Sequence, residues 1–176
     1  MKMWRIRNNA DGSIPSEPLT AAEVAGRMLE QTGTLFWLES DGGAGDFAAD
    51  VPEVRDVLLS RPSTVASVWF ERSGTSRHGW AWQVVEHACN HDPEGALAVI
   101  RALVAEAKDD EELAVIGAGP LETLLRCQGP QAISLVEVAA AEDRRFRFAL
   151  AGVWPSERNP EVWTRWAAAL GDQKRY

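Results

Sequence analysis

The run His87-Ala88-Cys89-Asn90-His91 is where this sequence comes nearest to carrying chemistry. Histidines four apart share one face of a helix, and two imidazoles beside a thiol or Glu86 are zinc-ligand types. The spacing also argues against a metal. Cys89 falls about 200° around the helix from His87, and no further ligand stands at a diagnostic distance. The pair suits a last helical turn, where imidazolium meets the negative end of the helix dipole. Asp41-Gly42-Gly43-Ala44-Gly45-Asp46 is glycine-rich enough to suggest a phosphate cradle. It lacks the lysine and the following helix start that a cradle needs, and it lacks the alternating oxygen ligands of a calcium loop. A hairpin or exposed loop is expected there.

Nucleophile patterns fare no better. There is no Gly-x-Ser-x-Gly elbow, and His78 beside Ser73, Thr75 and Ser76 is an accident of a Ser-rich connector. Asp109-Asp110-Glu111-Glu112 resembles a paired-carboxylate site, but four acids in a row are what a helix N-terminus favours. No catalytic, cofactor-binding or metal-binding residue is therefore expected, and the chain reads as non-enzymatic. Arg144-Arg145-Phe146-Arg147-Phe148 interleaves guanidinium with aromatic rings, a pattern able to stack on bases. Glu142 and Asp143 precede it, however, and the formal net charge of −8 repels a polyanion. Nucleic acid is excluded, leaving intramolecular pairing with acidic helix starts or a contact with another protein.

These residues sit on a chain of 176, with 45% hydrophobic and 25% charged residues, a globular composition. The excess acid is shared evenly by the two halves. No apolar run spans a bilayer, and Met1-Lys2-Met3-Trp4-Arg5 enters a strand pattern with no secretory h-region, so neither a membrane nor export is expected. Only Lys2, Lys108 and Lys174 are lysine; the arginine bias fits a GC-rich bacterial genome. Two cysteines at this size imply reduced thiols in a cytoplasm. Eight tryptophans against one tyrosine mark a heavy core or an interaction face.

The elements expected to position them fall in two parts, an α/β unit over residues 1–75 and a helical domain over 76–176, packed together. Together they make an α+β protein. In the first part, Trp4-Arg5-Ile6-Arg7 alternates as a strand, and Thr20 with Glu23 has capping-box spacing. Thr34 to Ser40 predicts a central strand, Phe47-Ala48-Ala49 a short one, Val54 to Leu58 a helix, and Thr64 to Phe70 a strand. The predicted order is β-α-β-(β)-α-β, with helices on one face. From Gly79 onward only helical spacing remains. Asp92-Pro93-Glu94 and Asn159-Pro160-Glu161 open helices, Gly117-Ala118-Gly119-Pro120 ends one and starts another, and Gly129-Pro130 begins the next. The expected result is an irregular α-helical bundle or short array of helical hairpins.

Gly117-Ala118-Gly119-Pro120-Leu121-Glu122-Thr123-Leu124-Leu125, Phe146 to Trp154, and Pro160-Glu161-Val162-Trp163 give this half a recognisable signature. Over Trp80 to Gly171 the chain resembles a bacterial domain-of-unknown-function family, all helical and without established activity. The resemblance brings no catalytic residues. It marks Gly117, Gly119, Pro120, Leu121, Glu122, Gly152, Trp154 and Trp163 as structural, with the glycines read as tight helix junctions and the tryptophans as buried anchors. Gly119 in particular is expected to be left-handed or tightly packed. The first 75 residues are loosely similar to small α/β immunity proteins of bacterial toxin systems. The function expected is binding to a protein partner, such as a basic toxin or nuclease-like protein, through Trp80, Trp82, Arg144, Arg145 and Phe148. The alternative is an enzyme or small-ligand protein with a pocket at the junction of the two halves.

Overall fold

Side-chain caps and prolines start the helices here, and few of them are where strand propensity would put them. The structure is a computed structural model that describes residues 3–7, 17–30, 37–40, 45–70 and 79–173. Residues 41–44 of the glycine-rich loop, and 71–78 with Ser73, Thr75, Ser76 and His78, lie outside the described residues. The chain divides into two compact units, Met1–Val84 and Val85–Tyr176.

In the first unit, Thr20 and Glu23 form a reciprocal capping box. The Thr20 N–H donates to Glu23 Oε2 at 2.7 Å and the Glu23 N–H to Thr20 Oγ1 at 3.2 Å. It opens α1 (Ala21–Glu30), which buries Val24, Ala25 and Met28. Three short strands pair antiparallel in the order β1-β2-β3: β1 (Trp4–Arg7), β2 (Trp37–Ser40) and β3 (Gly45–Phe47). In β1, Trp4 and Ile6 are buried and Arg5 exposed, the alternation of a half-buried strand.

The other elements among the described residues are all helices, and this overturns the expected α+β class with its β-α-β-(β)-α-β unit. The chain is essentially all-helical. The decisive segment is Thr64 to Phe70, predicted as a strand and found within α3 (Pro62–Phe70), directly after α2 (Pro52–Leu59). Pro62 sits at the first helical position, where its missing N–H costs nothing. Buried Val65, Ala66, Val68 and Trp69 repeat at helical spacing, so one-sided burial outweighs the strand preference of β-branched and aromatic residues.

The division between units falls within α4 (Gly79–His91). In the second unit, Asp92 caps α5 (Pro93–Glu106) by accepting from the Gly95 N–H at 3.0 Å, and Asp109 caps α6 (Asp110–Ile116) by accepting from the Glu112 N–H at 2.9 Å. The π-helical segment Gly117–Leu121 runs on into α7 (Glu122–Glu142). As expected, Gly129-Pro130 opens a new helical segment, and α7 is two helices joined across a kink. Gln128 leaves helical geometry at φ −122°, ψ 18°, because Pro130 has no N–H to donate and its ring crowds the carbonyl one turn back. The last elements are α8 (Arg144–Leu150) and α9 (Pro160–Leu170). Helix α7 packs against α5, α8 and α9, and α6 against α8. Among the described residues no polar or charged residue is buried, and no helix is long and apolar enough to cross a membrane.

Candidate functional site

Two of the sequence motifs meet in one junction. A Cβ on Gly117 would lie 2.1 Å from the Ala149 carbonyl oxygen and 2.9 Å from Gly152 Cα; one on Gly152 would lie 2.8 Å from the Ala114 carbonyl oxygen. The backbones of the α6 end and the α8 end therefore touch where neither residue has a side chain. Gly117 itself is helical at φ −60°, ψ −56°. Gly119, expected to be strained or tightly packed, is neither: nothing lies within 4 Å of its Cβ position and its φ is not left-handed. The predicted helix end and restart is also corrected to a continuous π-helical turn, which accommodates Pro120, a residue with no N–H for an α-helical bond. Pro120 and Leu121 are buried, and the Cys89 thiol donates to the Pro120 carbonyl at 3.3 Å. Burial first, then Cys127 and Glu86, pushes the Cys89 thiol up to about 12, leaving it a packed core thiol and no nucleophile.

The remaining candidates scatter. The His87 and His91 rings lie 4.5 Å apart, tilted by 46°, but among the described residues no group of three metal-ligating side chains assembles. Trp80 is buried; Trp82 is 45% exposed and stacks on Trp69 at 4.6 Å. Arg145 donates to the carbonyl of Ala107, the C-cap of α5, and Arg147 Nε to that of Ala140 in the last turn of α7 at 3.0 Å. The basic patch thus ties down helix C-termini, where cations are favoured, rather than acidic helix starts. Arg144 is exposed, Phe146 buried and Phe148 half-buried.

Tryptophan placement separates anchor from surface. Trp163 and Trp166 pack edge to face at 6.1 Å on α9, with indole N–H groups donating to the Arg158 and Leu150 carbonyls. Trp154, expected among the buried anchors, stands 65% exposed. Its backbone N–H donates at 3.1 Å to Glu122 Oε2, so the loop after α8 is fastened to the start of α7. The three signature segments therefore converge on α7. The chain belongs to DUF6869, a family of unknown function. The match spans residues 70–173. No curated protein and no solved structure matches the chain.

The DUF6869 region also holds a groove of about 360 Å³ between α7 and α9, whose lining includes Pro130, Ile133, Asn159, Glu161, Val162 and Arg165. Asn159 is left-handed at φ 51°, the one such non-glycine among the described residues, and its side chain does not cap α9. Arg165 makes a forked pair with Glu137, Nε to Oε1 at 2.8 Å and Nη2 to Oε2, and also reaches Ser134 Oγ at 2.9 Å. That hydrogen bonding holds the Glu137 carboxyl below its ordinary range and raises Arg165. Sequence reading missed this groove. Glu137 and Arg165 are 28 residues apart, and no local pattern joins them.

Proposed function

We propose that the protein works by occupying the surface of another protein, with Trp154 as the anchor that becomes buried on binding. One observation carries this: a tryptophan 65% exposed on a backbone held in place by Glu122. A tryptophan offers roughly 150–250 Å² of burial. A pinned backbone also reduces the ordering cost of contact, which is what an interface hot spot requires. The net charge of −8 supports a basic partner, met by electrostatic steering. An inhibitor or immunity-type role toward a basic toxin or nuclease-like protein, in a bacterial cytoplasm, fits that charge, the two free cysteines and the arginine bias.

The α7–α9 groove favours a second reading, a small-ligand protein or enzyme. Purification of tagged chain from its own host separates the two. The expected result is a stoichiometric complex with a basic protein whose assembly slows as salt rises. Recovery of the chain alone, together with turnover of a small molecule in a substrate screen, overturns the binding reading.

A further inference from the structure

Glu122 is only half used by the fold. Its Oε2 accepts the Trp154 N–H, while its Oε1 has Arg126 Nη1 at 3.8 Å, beyond hydrogen-bond reach. Its side chain is 22% exposed, so the carboxylate is partly withdrawn from water, with Oε1 held only by that long ion pair. The same carboxylate fixes the residue that carries the exposed indole. A planar cation answers both features at once. Guanidinium stacks on an indole face, donates through a fork that carboxylate geometry matches, and sheds water more readily than ammonium. The chain's charge of −8 has the sign that draws such a group in.

We infer that the partner's anchoring group is an arginine side chain, stacked on Trp154 and hydrogen-bonded to Glu122 Oε1 in place of Arg126. This rests on the reading of Trp154 as the contact residue and specifies the partner's chemistry there. Arg126 is exposed and keeps its hydration when displaced, so the exchange leaves no buried charge unpaired.

The test needs no partner. Full-length ¹⁵N-labelled protein is titrated with N-acetyl-arginine amide, N-acetyl-lysine amide and N-acetyl-norleucine amide, following the Trp154 backbone and indole N–H resonances. Arginine amide is expected to shift both with millimolar affinity, lysine amide several-fold more weakly, and norleucine amide not at all. E122Q, which keeps an oxygen for the Trp154 N–H, is expected to weaken the arginine response about tenfold. W154A should abolish it at the neighbouring Glu122 resonance. Equal responses to arginine and norleucine, an unchanged response in E122Q, or no shift up to about 100 mM arginine amide would each overturn the assignment. If Trp154 is still needed for a native complex in any of these cases, only the arginine assignment fails and the binding reading stands.

Discussion

Replacing Gly117 by alanine tests the motif junction at its tightest point. The added Cβ would sit 2.1 Å from the Ala149 carbonyl oxygen, where even a weak C–H···O contact wants about 3.3 Å. The obstacle is backbone on both sides, Ala149 and Gly152, so no side chain can swing away and α8 must shift by roughly 1 Å. Overpacking of this kind costs typically about 1–3 kcal/mol. Alanine's better helix propensity at this helical φ/ψ returns at most about 1 kcal/mol, leaving a net loss of about 1–2 kcal/mol. For a unit of this size that is a fall in melting temperature of about 5–10 °C. G119A is the matched control, since nothing lies within 4 Å of its Cβ position; it should leave stability unchanged or raise it by up to about 1 kcal/mol. Thermal unfolding followed by circular dichroism, and denaturant titration for the free energies, read both variants. A G117A protein as stable as wild type, or a G119A protein equally weakened, would refute the junction geometry.

Other consequences are as direct. In folded protein at neutral pH a thiol reagent should modify exposed Cys127 quickly, while buried Cys89, its thiol pushed up to about 12, reacts only on unfolding; two fast thiols would contradict that packing. D92A should cost about 1 kcal/mol in chemical denaturation by removing the α5 cap, with no loss expected if the cap is decorative. Glu137, whose carboxyl is lowered by Arg165, adds stability that is present above the ordinary glutamate range and lost as pH falls through its lowered value. The difference between wild type and E137Q should therefore shrink on acidification and with salt, since the pair is partly exposed; a difference that grew in acid would reverse the assigned sign.

What sequence could supply was local. Asp92-Pro93-Glu94 and Thr20 with Glu23 announce helix starts because a cap is made within four residues, and both caps form. The signature segments likewise place the helical region, and the family match covers it. Thr64 to Phe70 misled because its residue types favour strands while its burial pattern is set by neighbours that sequence does not name. Gly119 and Gly117 look alike in the chain; only the approach of α8 makes Gly117 the indispensable one. Trp154 and Trp163 differ in the same way, since the loop fastened by Glu122 turns one outward while α9 turns the other in.

The central claim is that Trp154 is a contact residue and not a core one, and W154A tests it most directly. The variant should unfold within about 0.5 kcal/mol of wild type, as a surface substitution does, yet lose at least about 2 kcal/mol of affinity, roughly thirtyfold, for the basic protein that wild type binds stoichiometrically. Calorimetric titration of that purified partner against both forms gives the comparison. Equal affinity of wild type and W154A would contradict the claim, and so would a W154A chain that binds poorly only because it no longer folds.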